Sequence, residues 1–202
     1  MNAHDLFVDI KYKEVAELIP KKSKVLDLGC KDGELRSYLQ GREYYGADVN
    51  KEFIDKLARQ GIKVEQADFN STLPFKKEKF DFILMLDLLE HLVNPADFLI
   101  KARKLLNKNG KIIITLPNDY HLLNKLRFIF NKPLTSDPFS YKGHFHIFPI
   151  KFADKLIQKD FKIIKKVYLP GTKPLLIPQF VKNLLTRISP NNFSRGVLYL
   201  IS

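Results

Sequence analysis

A glycine-containing turn carries the first residues whose types and spacing predict ligand binding. Asp27 lies near the end of a short apolar run, Gly29 and Gly33 follow it, and Asp48 comes 21 residues after Asp27. Glycine permits a tight turn and a close approach of the backbone to a ligand. A carboxylate at the end of the next strand can accept both hydroxyl groups of a ribose. We therefore predict a nucleoside site between the first two strands.

The same turn lacks the glycine pattern of a pyrophosphate site. Dinucleotide sites have G-x-G-x-x-G, whose middle glycine lets backbone amides reach the phosphates, whereas Lys31 occupies that position here. S-adenosylmethionine carries an adenine, a ribose, a sulfonium and an amino-acid end but no phosphate. Because Asp27 suits the ammonium group of that end, the residues favour S-adenosylmethionine over NAD.

A second group of polar residues follows a later apolar run. Asp87, Glu90 and His91 stand at positions i, i+3 and i+4, which share one face of a helix. They could hold a metal ion, and His144 or His146 could complete its ligand set. The two later histidines could instead accept a proton near neutral pH. Alternatively, one of them hydrogen-bonds His91 or Asp87 and only holds its loop closed.

The elements that must position these residues alternate between strands and helices. Strands that alternate with helices form parallel sheets with right-handed crossovers. The fold class is therefore α/β, a doubly wound Rossmann-like sheet. Apolar periodicity predicts strands at 24–28, 43–47, 62–67, 80–86 and 111–116, helices at 34–40 and 51–60, and a third helix that Asn94 caps and Gly110 ends.

The pattern is looser after Pro117, but we expect one domain of residues 1–202. An 18-residue loop at 131–148 is unusual in a compact domain unless it binds or covers a ligand, so we expect it to be a lid. Around this loop we predict helices at 120–130 and 150–159 and strands at 161–169 and 196–201.

A proline-rich insert at 170–190 separates the last two strands. A basic amphipathic helix in it can rest on an anionic membrane surface or form a dimer contact, although an apolar helical stripe is most often core. We predict a partly exposed apolar patch that helps to admit a hydrophobic or lipid-linked molecule. The apolar face within residues 179–188 consists of Phe180, Val181, Leu184, Leu185 and Ile188.

The composition limits the partners and the compartment. The chain carries 34 Lys and Arg against 22 Asp and Glu, a formal charge of +12, which favours anionic partners such as RNA. Its lysines are scattered rather than gathered in one stripe, so nucleic acid is the less favoured partner.

Cys30 is the only cysteine, which excludes an intramolecular disulfide. Because the sequence shows neither a membrane span nor a secretory signal, we expect a cytoplasmic protein.

Five segments in this order resemble class I S-adenosylmethionine-dependent methyltransferases. The resemblance is closest to the methionine-biosynthesis-associated and ubiquinone O-methyltransferase groups, and it covers residues 25–168. Each motif alone is weak, but the ordered combination is specific. The segments are VLDLGCKDGEL at 25–35, YGADVN at 45–50, QADFN at 66–70, FDFILMLDLLEHLVNP at 80–95 and GKIIITLPN at 110–118.

This resemblance implies a seven-stranded, mostly parallel sheet in the order 3-2-1-4-5-7-6 with the last strand antiparallel. The family usually has glycine where this chain has Lys31, a cation that could pair with the methionine carboxylate or Asp32, although we favour a position in solvent. By resemblance, Asp27, Gly29, Cys30 and Gly33 surround the methionine part of the cofactor, Asp48 takes the ribose, Val49, Asp68 and Phe69 flank the adenine, and Leu86 with Asp87 closes the site.

The resemblance also bears on the metal question. Relatives that methylate RNA 3′ ends or quinone precursors use a metal held by a similar set of two acids and a histidine. The LEHL stretch at 89–92 is widespread in the family without metal. We therefore predict that Asp87, Glu90 and His91 bind no metal.

The resemblance implies transfer of a methyl group from S-adenosylmethionine to an oxygen, or less readily a nitrogen, of a small or lipid-linked acceptor. An alcohol or phenol acceptor needs a base, and His91, His144 and His146 are the candidates. Two alternatives stay open. One is an RNA methyltransferase, supported by the charge of +12, and the other is a non-enzymatic relative that binds the cofactor, which Lys31 would permit.

Overall fold

One mixed sheet organises the computed structural model, which describes residues 3–132, 145–172 and 177–202. Seven strands of these residues pair in the order β3-β2-β1-β4-β5-β7-β6. β7 runs antiparallel to β5 and β6, and the other neighbours are parallel. The predicted order and the antiparallel last strand are confirmed. The strands are β1 (Lys24–Leu28), β2 (Glu43–Asp48), β3 (Lys63–Gln66), β4 (Phe80–Leu86), β5 (Leu106–Pro117), β6 (Ile163–Pro170) and β7 (Ser194–Ile201).

Helices cover both faces of the sheet. Successive residues of a strand point to opposite faces, and Val25 and Leu26 accordingly belong to two different clusters of buried side chains. α1 and α2 pack into the cluster of Val25, whereas α3 and α5 pack into that of Leu26. The helices are α1 (Ala3–Glu17), α2 (Lys51–Arg59), α3 (Pro95–Arg103), α4 (Leu122–Ile129), α5 (Ile150–Ile157), α6 (Gln179–Ile188) and α7 (Pro190–Phe193).

The strand register brings the predicted site residues to one edge. Leu28 of β1 pairs with Ala47 of β2 and with Met85 of β4. The carboxyl ends of these three parallel strands therefore lie side by side at the edge where open α/β sheets bind ligands. Asp27, Asp48 and Asp87 lie at or next to these three ends.

Two local expectations differ from the structure, and one helix was not predicted. α1 was not predicted, and the predicted helix at 34–40 is a short 3₁₀ helix, Glu34–Tyr38. The prediction that Gly110 ends the third helix is wrong, because α3 ends at Arg103 and Gly110 lies inside β5. A Cβ at Gly110 would lie 2.9 Å from the Phe80 carbonyl oxygen. Glycine at this position therefore serves the close approach of two strands.

Two predicted features fall partly outside the described residues. Residues 133–144 of the predicted lid, including His144, and residues 173–176 of the insert belong to the undescribed parts of the chain. α6 confirms the predicted helix in the insert. Among the described helices, none has the length and apolar character needed to span a membrane.

Candidate active site

The turn after β1 is held in an unusual backbone conformation. Gly29, Lys31 and Gly33 have φ angles of +79°, +49° and +80°, a region that glycine adopts readily and that costs other residues about 1 to 2 kcal/mol. The amides of Gly29 and Cys30 donate to the Ala47 carbonyl at 2.8 and 3.1 Å. The turn is therefore fastened to the end of β2. The Lys31 side chain is exposed.

Asp48 is a buried carboxylate at the end of β2, with a relative exposure of 7%. The Lys31 amide donates to its Oδ2 at 2.9 Å, and the Asn50 amide donates to its Oδ1 at 2.9 Å. Each carboxylate oxygen can accept a second hydrogen bond. The two amides thus fix the carboxylate and leave one acceptor position on each oxygen, which is what two neighbouring ribose hydroxyls need.

Asp27 is buried at the same edge of the sheet, where its ionised form is disfavoured. It is 4% exposed, and the Tyr44 hydroxyl donates to its Oδ2 at 2.8 Å. Burial raises the pKa of Asp27 to about 6, although the Tyr44 hydrogen bond opposes the shift. A buried carboxylate of this kind gains from a positively charged ligand group placed against it.

Cys30 packs against the neighbouring strand. The thiol is buried, and a Cβ at Gly46 would lie 2.9 Å from its Sγ. Burial raises the pKa of the Cys30 thiol, and the charges of Asp27 and Asp48 add to this effect. The thiol therefore stays protonated near neutral pH and is a packed side chain next to the turn.

The residues predicted to flank the adenine differ in their exposure to solvent. The Ala67 amide donates to the Asp48 carbonyl at 3.0 Å, which places the end of β3 beside Asp48. Val49 is 59% exposed, and Asp68 is exposed as well. The Phe69 ring is buried, with its centroid 5.6 Å from that of Phe98. Contact of these residues with an adenine stays a prediction.

Asp87 is held by residues of two other elements. Lys11 of α1 places its Nζ 2.6 Å from Asp87 Oδ2, and the Thr115 hydroxyl of β5 donates to Oδ1 at 2.7 Å. Burial opposes the charge of Asp87, but Lys11, Thr115 and Lys31 outweigh it and hold the pKa below its usual value. Sequence reasoning missed Lys11 and Thr115. The signal available for Lys11 was its spacing of four residues from both Phe7 and Val15, which places the three side chains on one face of a helix.

Glu90 is almost completely buried, at 1% exposure, and its Oε2 has no hydrogen-bond partner. Burial raises its pKa to about 8, and the negative charge of Asp87 adds to the shift. Glu90 is therefore protonated at neutral pH. The described residues contain no group of three or more His, Cys, Asp or Glu side chains arranged to hold a metal ion.

The described part of the predicted lid lies against Glu90. The amides of Phe145 and His146 donate to the Glu90 carbonyl at 2.7 and 3.2 Å. His146 Nε2 lies 3.3 Å from the Val93 carbonyl. The structure thus brings His146 to the segment that carries Glu90 and His91, whereas His144 lies outside the described residues.

A separate pocket lies between α4, α6 and α7, and sequence reasoning did not find it. Apolar side chains line it together with three basic ones, namely His121, Lys182 and Arg195. Burial lowers the pKa of His121, and the charge of Arg195 adds to this effect. The signal available in the sequence was the position of Lys182 in the middle of an apolar helix.

Comparison with known proteins identifies relatives of the part of the chain that carries β1 to β5. A family described as "Methyltransferase domain" matches residues 3–161. An uncharacterized protein of Methanocaldococcus jannaschii is 32% identical over 121 residues, which are 58% of each chain. A ubiquinone biosynthesis O-methyltransferase of Pelagibacter ubique is 34% identical over 105 residues, or 48% of this chain and 43% of the relative. The chain thus spans less than two thirds of these relatives.

Solved structures share the fold at low sequence identity. An S-adenosylmethionine-dependent methyltransferase from Mesorhizobium loti has a TM-score of 0.68 and 14% identity, covering 95% of this chain and 97% of that one. A coclaurine N-methyltransferase bound to N-methylheliamine and SAH has a TM-score of 0.63 and 17% identity, covering 96% and 72%. These neighbours agree with the α/β fold described above.

Proposed function

The chain belongs to the S-adenosylmethionine-dependent methyltransferases, and from this premise we propose that it methylates an oxygen of a small or lipid-linked acceptor. A nitrogen acceptor is the less favoured choice. The observation that carries the binding of the methyl donor is the Asp48 carboxylate, fixed by two backbone amides near the buried Asp27. The relatives named ubiquinone biosynthesis O-methyltransferase favour oxygen over nitrogen.

The residues at the sheet edge fit S-adenosylmethionine group by group. The free acceptor positions of Asp48 suit the two ribose hydroxyls, and the buried Asp27 suits the ammonium group of the amino-acid end. The charge of Lys11 acts on both Asp27 and Asp87. The Lys11 ammonium therefore lies near both carboxylates, at the end of the site proposed for the amino-acid part of the cofactor. There it is available to the carboxylate of the cofactor.

When bound, S-adenosylmethionine supplies a methyl group on a positively charged sulfur. The protein's part is to hold an acceptor oxygen in line with that methyl group and to exclude water. α1 contributes to this closure, because Lys11 joins it to the end of β4. Leu86 and Asp87 belong to the same β4 end and are proposed to close the site from that side.

A hydroxyl acceptor must lose its proton during the transfer. We assign this step to a histidine, and His91, His144 and His146 remain the proposed bases. Of these, His146 lies on the segment bonded to Glu90. His121 joins them as a fourth candidate because it lines the pocket between α4, α6 and α7. Its lowered pKa leaves the ring neutral near pH 7, as a base requires.

The proposed function is tested with labelled S-adenosylmethionine and a fractionated cell extract. Small molecules, lipids and RNA are presented separately, and the labelled product is identified by mass spectrometry. Label on an oxygen of a small or lipid-linked compound supports the proposal. Label confined to RNA, or to nitrogen atoms, would contradict it. Asp48→Ala serves as the control with weakened cofactor binding, because it removes the proposed ribose acceptor without touching the proposed bases.

A further inference from the structure

Helix α6 turns polar residues inward and large apolar residues outward. Lys182 and Thr186 are 7% and 4% exposed, whereas Phe180, Leu184 and Ile188 are 72%, 54% and 71% exposed. This arrangement is the reverse of an ordinary surface helix, whose apolar stripe faces the core. Burying lysine in place of leucine disfavours folding. The buried side of α6 therefore carries a positive charge that apolar packing does not explain.

Lys182 lines the pocket between α4, α6 and α7 and has no counter-ion in the described part of the chain. Its Nζ donates a hydrogen bond to the Thr172 carbonyl at 2.6 Å. Within residues 3–132, 145–172 and 177–202 it forms no ion pair. Lys11, which is equally buried at 7%, pairs with Asp87. Two lysines of equal burial thus differ in that one has its anion among the described residues and the other does not.

The pocket at Lys182 combines this charge with an apolar wall. Leu122 of α4, Ile177 and Phe193 of α7 supply apolar surface, and Arg195 supplies a second cation. No Asp or Glu from the described stretches of the chain lines the pocket. An apolar cavity whose described lining holds two cations and no carboxylate is complementary to an apolar molecule that carries a negative charge.

The pocket lies next to the proposed cofactor site. The Arg195 guanidinium carbon lies 5.4 Å from the centre of the Phe7 ring, and Lys11 Nζ lies 5.9 Å from the same centre. One phenyl ring therefore separates the pocket from the ammonium that pairs with Asp87. A molecule anchored at Lys182 and Arg195 can extend toward the carboxyl end of β4.

We propose that this pocket binds the methyl acceptor and selects an apolar molecule with one negatively charged group, which Lys182 and Arg195 bind. The charged group is a carboxylate, sulfonate or phosphate, since all three accept hydrogen bonds from ammonium and guanidinium groups. The inference rests on the proposed function, because it names the class of acceptor. It assigns substrate binding to α6 and β7, which the sequence motifs do not include.

Two dyes of nearly equal shape test the selection. Anilinonaphthalene sulfonate is apolar and anionic, and N-phenylnaphthylamine is its neutral counterpart. Fluorescence titrations compare both dyes on the intact chain, on Lys182→Met, on Arg195→Gln and on Lys159→Met. Lys159 is an exposed lysine that follows α5, so its variant controls for net charge. Methionine keeps most of the length of the Lys182 stem, so apolar packing is largely retained.

We expect Lys182→Met and Arg195→Gln each to weaken binding of the anionic dye about tenfold or more, the usual effect of losing a charge-assisted hydrogen bond. Binding of the neutral dye should change less than twofold, and Lys159→Met should bind both dyes like the intact chain. Equal losses of both dyes, or no loss of the anionic dye, would overturn the proposal. A melting curve for each variant shows whether it is folded.

Calorimetry with S-adenosylhomocysteine on the same variants separates the two proposals. The pocket variants are expected to bind it with unchanged affinity, because Lys182 and Arg195 are assigned to the acceptor. If the intact chain selects the anionic dye through Lys182 but binds no S-adenosylhomocysteine, the proposed function fails while the anion pocket stands. If it binds S-adenosylhomocysteine and shows no preference for the anionic dye, only the pocket assignment fails.

Discussion

Lys11 Nζ lies 2.6 Å from Asp87 Oδ2, so the first helix is tied by an ion pair to the end of β4, 76 residues further along the chain. Lys11 also lies near the Phe7 and Tyr12 rings, with its Nζ 5.9 and 5.5 Å from their centres. α1 thereby reaches the carboxyl edge of the sheet, where the proposed cofactor residues lie. Its position makes α1 part of the proposed site.

Lys11→Met is expected to weaken both cofactor binding and folding. It removes the proposed partner of the cofactor carboxylate and leaves the Asp87 charge without its counter-ion. We expect S-adenosylhomocysteine affinity to fall about tenfold or more. The free energy of unfolding should drop by about 1 to 3 kcal/mol, less than for a fully buried pair, because the Asp87 side chain is 35% exposed and water screens its charge. Calorimetry and urea unfolding measure the two effects.

Lys13→Met is the control, because Lys13 pairs with Asp9 on the exposed side of α1. Unchanged affinity in Lys11→Met would remove Lys11 from the site.

The strands were predictable because short, mostly apolar runs recur between helical segments, and the motif residues Asp27 and Asp48 follow from strand ends that parallel pairing aligns. α1 and the inward face of α6 were not predictable in the same way. Each buries a lysine, Lys11 or Lys182, so the face that packs inward has no continuous apolar stripe. Periodicity arguments find apolar faces, and they miss faces built on a buried charge.

Glu90 predicts a specific dependence of stability on pH. Burial raises its pKa from 4.5 to about 8, so between these values the folded chain holds a proton that the unfolded chain has lost. The free energy of unfolding therefore contains a contribution that falls as pH rises from about 4.5 to about 8 and is constant above that, with a slope of at most about 1.4 kcal/mol per pH unit.

Glu90→Gln is expected to flatten this slope and to be more stable than the intact chain at pH 8. The amide keeps a neutral side chain of the same size, so it removes the titration and preserves the packing. Urea unfolding at a series of pH values provides the measurement, with the exposed Glu52→Gln as the control. Parallel curves for Glu90→Gln and the intact chain would show that Glu90 ionises without penalty.

Chelation tests the prediction that Asp87, Glu90 and His91 bind no metal. Methyl transfer should survive dialysis against EDTA, because Asp87 pairs with Lys11 and the Glu90 carboxyl is protonated near neutral pH. A protonated carboxyl is a poor metal ligand. Loss of turnover that magnesium or manganese restores would assign the chain to the metal-dependent relatives.

The outward face of α6 predicts contact with a membrane surface. Phe180 and Leu184 are 72% and 54% exposed, so the predicted exposed patch is present and the alternative of ordinary core packing is wrong for these two residues. We expect the intact chain to float with vesicles that contain anionic lipid. The Phe180→Ser/Leu184→Ser variant should remain in the fraction without vesicles, and its melting temperature should equal that of the intact chain. Ile100→Ser, an exposed apolar position on α3, is the control. An intact chain that remains entirely with the soluble fraction would exclude this contact.

The ribose-binding role of Asp48 is the central claim, and titration calorimetry with S-adenosylhomocysteine tests it most directly. The intact chain is expected to bind S-adenosylhomocysteine and to show no heat with NAD, because Lys31 occupies the position where a dinucleotide site has its middle glycine. Asp48→Ala removes the acceptor for both ribose hydroxyls and should weaken binding by about 1.5 to 3 kcal/mol, which is roughly ten- to a hundredfold. An affinity for S-adenosylhomocysteine that is the same in Asp48→Ala as in the intact chain would contradict the account.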